Sequence, residues 1–235
     1  MTVSRVRRIC VALLVLVVVI PLGGAPQARA AEPAPIVPLL DSVLSSVDAY
    51  WHQTQAASGL PAPSVKHVWV APGAKVDTAC GAQAGDDAAF YCATDDTIYI
   101  GQTFASAILD GVANGLPGQR AGIGRAAGDF AVAFVVAHEY AHDVQNEDGI
   151  FLGRQRAKPI ELNADCLAGT WARWADDQGQ LKPGDFQEAL DAALAVGDFD
   201  FFNVQHHGTP LERRDALLTG FRGGTPQACN GYLGV

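Results

Sequence analysis

Residues 129–150, DFAVAFVVAHEYAHDVQNEDGI, restrict the possible folds more than any other stretch of the chain. No charge lies between Asp129 and His138, a run as apolar as a buried core, and then His138, Glu139 and His142 follow within five positions. A buried segment carries such groups at a high cost unless they are neutralised together. On an α-helix, positions i and i+4 share a face with Cβ atoms about 5–6 Å apart, so His138 and His142 present ring nitrogens to one point. Glu139 is rotated by about 100° and stands beside that point. The H-E-x-x-H spacing therefore predicts a buried helix that holds one zinc ion between two imidazoles. Zinc there lowers the pKa of a water to about 7, and Glu139 takes its proton as general base. Asp129 is expected to cap the helix and Gly149 to end it.

A catalytic zinc takes three protein ligands and leaves one position open. A ligand six residues after His142 would be Asp148, but the glycine needed to turn the chain back would fall at Gln145. Met1 is the only methionine, so no methionine turn underlies the site. The third ligand is expected instead from PIELNADC, residues 159–166. Glu161 and Asp165 lie four apart on one face of a helix with Pro159 in its first turn. Glu161 completes a His-His-Glu set. Asp165, one turn on, accepts the free ring N–H of a liganding histidine and fixes its tautomer.

The remaining chain reads as α+β, with strands early and helices after. Apolar positions 39–50 follow helical spacing behind a proline-rich lead-in that ends at Pro38. Residues 65–70 read as a strand, and 88–93 and 97–101 as a hairpin around Thr94-Asp95-Asp96. Ile98-Tyr99-Ile100 reads as a plain hairpin strand or, alternatively, as an edge strand for pairing with an extended peptide. Residues 111–128 form a glycine-rich loop. Further helices are expected from Pro159 to about Trp174, from Pro183 to near Gly197, and from a capping box at Thr209-Pro210-Leu211-Glu212 to Gly220. Arg213 is expected to pair with a nearby acid, and His206 to be exposed.

The N-terminus reads as an export signal: a basic start, the apolar run 9–20, a Pro-Gly break, then Ala28-Arg29-Ala30. The run is shorter than the roughly 20 residues of a membrane span, so cleavage after Ala30 would leave an unanchored, secreted domain of residues 31–235; the alternative is an uncleaved anchor that keeps the protein at the cell envelope. Residues 1–30 hold four of the 16 basic side chains and none of the 25 acidic ones, so the remainder carries a net charge of −13. That balance argues against nucleic acid, whose affinity comes from Lys and Arg on phosphates. Outside the signal stand Cys80, Cys92, Cys166 and Cys229. In an exported chain they suggest two disulfides, Cys80–Cys92 closing a short polar loop and Cys166–Cys229 tying an internal helix to the C-terminal region.

HEYAHDVQN, ELNADCLAGTWARWA, LKPGDFQEALDAALAVGD and HHGTPLERRDALLTGF, in that order, resemble the putative neutral zinc metallopeptidase family, a gluzincin-type group. The resemblance covers roughly Cys80 to the C-terminus. It implies a zincin-like single domain, mostly helical with a small antiparallel sheet, an active-site helix carrying the motif, and peptide or protein substrates. It implies zinc on His138, His142 and Glu161 with Glu139 as base, and it supports both cysteine pairings. The chain departs from the family at Asp143, where a second histidine is common, and in its cleavable N-terminus, where members often carry a membrane anchor. The family's His-Gly dipeptide matches His207-Gly208, which makes His207 the candidate donor to the oxyanion of the tetrahedral intermediate. Two other classes share the motif: a zinc-stabilised extracellular binding protein without turnover, and a zinc amidase acting on cell-envelope material. Turnover by the wild type against Glu139→Gln separates the first, and peptidoglycan fragments beside ordinary peptides separate the second.

Overall fold

The computed structural model describes residues 36–151 and 156–234. The expected export signal and cleavage site lie outside the described residues. Helix α1 (Ile36–Ala57) buries Leu40, Val43, Val47 and Tyr50 along one stripe. It is already helical at Pro38, where an extended lead-in was expected, because in the first turn a missing N–H has no intrahelical acceptor to forgo.

Five short strands follow: β1 (Lys66–Val70), β2 (Lys75–Asp77), β3 (Gln83–Gly85), β4 (Ala89–Cys92) and β5 (Thr97–Gly101). β4 and β5 form the expected antiparallel hairpin, while β1 joins β5 in parallel, so the three-stranded sheet is mixed with order β1-β5-β4. β2 and β3 make a separate antiparallel pair. Ile98-Tyr99-Ile100 is therefore not an edge. β5 is the central strand, with all five residues buried, and β1 and β4 are the edges of the sheet. The physical reason is visible in the run itself, since three consecutive apolar residues suit a strand covered on both faces rather than one facing a cleft.

The helices are α2 (Gln102–Leu109), the short α3 (Pro117–Arg120), α4 (Asp129–Glu147), α5 (Ala157–Asp177), α6 (Asp185–Val196) and α7 (Pro210–Gly223), with a 3₁₀ segment at Pro226–Tyr232. α4 is central: every residue from Phe130 to Gln145 except Val135 is buried, against α1, α2, α5, α6 and the sheet. Its start is capped differently from expectation. Gly128 is the N-cap, Asp129 accepts from Lys182 Nζ at 3.0 Å, and Phe130 N–H donates to Glu188 Oε2 of α6 at 3.0 Å. The capping acceptor thus comes from another helix. At α7 the Thr209 side chain accepts from Glu212 N–H, and the Glu212 carboxylate accepts from Thr209 N–H.

α5 and α7 cross at two glycines. A Cβ on Gly220 would fall 1.8 Å from the Cys166 carbonyl oxygen, and one on Gly169 would fall 2.1 Å from that of Leu217. Backbone cannot yield as a side chain does. Gly220→Ala is expected to lower unfolding free energy by about 3 kcal/mol, the upper end of overpacking costs, in urea titrations. A disulfide joins Cys166 at this crossing to Cys229 in the 3₁₀ segment, and another joins Cys80 to Cys92. With separations of 63 and 12 residues, the chain-entropy model assigns them about 4 and about 3 kcal/mol. Among the described residues no helix is long and apolar enough to cross a membrane.

Candidate active site

α4 and α5 lie side by side, and their facing sides carry the titratable groups. His138 Nε2 lies 3.1 Å from His142 Nε2 and 3.2 Å from Glu161 Oε2, and His142 Nε2 lies 3.5 Å from Glu161 Oε1. Zinc–nitrogen bonds of about 2.1 Å at tetrahedral angles place ligand atoms about 3.4 Å apart, so the spacing suits one ion.

The outer ring nitrogens decide which protons are present. A chain of amides runs from the backbone to His142. The Cys229 carbonyl can only accept, so Asn163 Nδ2 donates to it at 3.1 Å, which leaves Asn163 Oδ1 as an acceptor. Gln145 Nε2 donates to that oxygen at 2.8 Å and to the Ile160 carbonyl at 2.9 Å. Gln145 Oε1 must then accept from His142 Nδ1 at 2.8 Å, and the lone pair of His142 rests on Nε2. The disulfide of Cys229 holds the first carbonyl of this relay in place.

His138 is fixed by charge. Its Nδ1 lies 3.0 Å from Asp165 Oδ1, and Asp165 also accepts from Arg213 Nε and from the second guanidinium nitrogen at 2.8 Å. Arg213 and Asp165 are 4% and 0% exposed, a buried ion pair on α7 and α5. Burial works against the Asp165 carboxylate, but the Arg213 charge outweighs it and holds the pKa below the ordinary range. Two lone pairs and a carboxylate therefore converge on one point, an arrangement that demands positive charge. At His138, burial opposes protonation, yet hydrogen bonds to Asp165 and Glu161 prevail and push the pKa up to about 10. Burial likewise acts to raise Glu161, but the two neighbouring imidazoles hold it well below the carboxylate range. The donor set fits zinc, which takes two histidine nitrogens and one carboxylate oxygen in such sites.

Glu139 is 8% exposed and borders the same cleft, a cavity of about 340 Å³ whose apolar wall includes Phe104, Phe134, Val135 and Val196. Burial raises its pKa, and the neighbouring imidazoles offset only part of that effect. β4 supplies Ala89, Phe90 and Tyr91 to the cleft rim. His207 also lines this cleft. Asp198 accepts from its backbone N–H at 2.9 Å and lies 3.2 Å from its Nδ1. Gly208 follows with φ +105°, a conformation that lets the chain turn from the cleft into α7. His206, expected to be exposed, is 6% exposed. Its Nδ1 meets the other oxygen of Asp198, and the apolar ring of Phe201 lies against it.

All the expected site residues on α4 and α5 thus lie within one cluster, and His207 lines the same cleft. Gln145, Asn163 and Asp198 were not foreseen. Gln145 carried one signal, an amide on the same face as His142 and buried by its place in an apolar helix. Asp198, in the polar-aromatic run DFDFFN, carried none.

Comparisons with known proteins agree with this geometry. The protein YpfJ of Escherichia coli K12 is 34% identical over 178 residues, which cover 66% of this chain and 58% of that protein. Rv2575 of Mycobacterium tuberculosis H37Rv is 32% identical over 217 residues, 80% of this chain and 68% of its own. Both carry the description uncharacterized protein. The chain thus spans under two thirds of the E. coli relative's length. No solved structure matches it. The family model described as putative neutral zinc metallopeptidase matches residues 24–232, nearly the whole chain, and the chain belongs to that family.

Proposed function

We propose that this protein is an exported zinc metallopeptidase that hydrolyses peptide bonds with Glu139 as general base. The observation that carries the reading is the convergence of His138 Nε2, His142 Nε2 and a Glu161 carboxylate oxygen, each 3.1–3.5 Å from the others, beneath a cleft that Glu139 also lines. These three residues would hold the ion. Bound there, zinc supplies Lewis acidity toward the scissile carbonyl and makes a water acidic enough to lose its proton near neutral pH.

The protein's own groups carry the rest. Glu139 accepts the proton of the attacking water and returns it to the leaving amine. Its burial raises the carboxyl's affinity for that proton, which brings acid and base forms closer to balance near neutral pH. The imidazolium form of His207, whose Nδ1 meets Asp198, has an Nε2–H to donate to the oxyanion that develops on the substrate. Asp165 and Arg213 orient His138, and Gln145 orients His142. The free edge of β4 at the cleft rim suits backbone pairing with an extended peptide, and the wall of Phe104, Phe134 and Val196 suits an apolar side chain. Two disulfides accord with an extracellular site of action.

Incubation with a mixed peptide library, read by mass spectrometry, tests the proposal. Cleavage is expected that stops with a chelator and returns with zinc; a library left intact by zinc-loaded protein contradicts it. Gln145→Leu is expected to weaken zinc affinity by about 10–100-fold in chelator competition, because His142 loses the acceptor that fixes its tautomer.

A further inference from the structure

The cleft does not end at the zinc-binding cluster. A second cavity of about 270 Å³ shares Tyr91, His142 and Glu161 with the first, so the cluster lies between two lobes. Their chemistry differs. The first lobe is walled by Phe104, Phe134, Val135 and Val196. The second is bordered by Arg156 and Gln205, both exposed, and neither side chain has a hydrogen-bond or ion-pair partner among the described residues.

The other charges near the cluster are already engaged among the described residues. Arg213 is buried on Asp165, and Lys158, two residues after Arg156, is paired with Glu212. Among the described residues the only acid lining the second lobe is Glu161, which lies against both imidazoles. An unengaged guanidinium with an amide beside it is thus the polar character of this lobe, in a protein whose residues 31–235 carry a net charge of −13. Arginine presents a planar fork of donors matched to a carboxylate.

We infer that Arg156, assisted by Gln205, forms a carboxylate-binding subsite, so that the enzyme prefers peptides with an acidic group on one side of the scissile bond. The inference rests on the peptidase reading of the cluster. The carboxylate can come from an Asp or Glu side chain or from the peptide's own C-terminus, and the two sources make different demands. A side chain allows cleavage within a chain, whereas a terminal carboxylate confines it to the end.

The test uses zinc-loaded full-length protein and matched fluorogenic peptides. Glu replaces Gln at each position around the scissile bond in one series, and a C-terminal acid replaces the amide in another. An acidic group is expected to raise kcat/KM on the order of ten-fold, on one side of the bond only. The series that responds identifies the source. In Arg156→Gln the acid-to-neutral ratio is expected to fall to about one, and in Arg156→Lys to an intermediate value, because a point charge replaces the fork. Peptides cleaved without regard to charge, or a preference that survives in Arg156→Gln, overturn the inference while leaving the peptidase reading intact. The second arm needs no turnover: tripeptide hydroxamates ending in an acid or an amide are titrated calorimetrically into the zinc-loaded protein. An acid that binds on the order of ten-fold tighter, only when Arg156 is present, upholds the subsite even if no peptide is cut. Equal affinities overturn it.

Discussion

Glu139→Gln is expected to keep its full zinc content and to lose about 10³-fold in peptide turnover, within the range a positioned general base contributes. The amide matches the carboxylate in size, and residue 139 contributes no atom to the 3.1–3.5 Å triangle of His138, His142 and Glu161, so metal binding has no reason to change. What is lost is proton affinity at a site that is 8% exposed, where bulk water is a poor substitute. Initial rates on a cleaved peptide, with metal content measured on the same preparation, separate the two effects. Unchanged turnover would remove Glu139 from the chemistry. Loss of zinc together with turnover would instead mean that Glu139 helps to build the site.

The largest effect on stability is expected at Arg213. Arg213→Met leaves the Asp165 carboxylate, 0% exposed, without the guanidinium that donates to both of its oxygens, and breaking a buried pair in this way costs about 3–5 kcal/mol. Asp165 also meets His138 Nδ1, so an uncompensated charge there disturbs the candidate metal-binding cluster as well as the crossing of α5 and α7. Urea unfolding gives the cost. The double variant Arg213→Met/Asp165→Asn, which has no orphaned charge, is expected to recover a substantial part of it. A double variant no more stable than the single one would show that packing of the Arg213 stem, and not charge pairing, supplies the stability.

What the sequence discloses and what it hides follow from the range of the interactions involved. α4, α5 and α7 were legible because their signals are local: apolar periodicity, Pro159 in a first turn, the capping box at Thr209. The meeting of His138, His142 and Glu161 was legible because i,i+4 spacing sets two of the three positions within one helix. α2 was missed: its N-cap, Gly101, makes no side-chain cap, and it follows β5 without a break. β2 and β3 are three residues each, too short to show alternation. The cap of α4 comes from Glu188, 58 residues away from Phe130, and the orientation of His142 starts at Cys229. Neither can be read from neighbours in the chain. β5 is the instructive case, since Ile98-Tyr99-Ile100 already had the continuous apolar run of a covered strand, which favours the hairpin reading over the edge reading.

The central claim is that one zinc ion is held by two imidazoles of α4 and a carboxylate of α5. Elemental analysis of the purified wild type, beside His142→Ala and Glu161→Ala variants that remain folded by circular dichroism, tests it most directly. The account predicts close to one zinc per wild-type chain and a marked loss in both variants. A folded wild type that takes up no zinc, or variants that retain it in full, would contradict it.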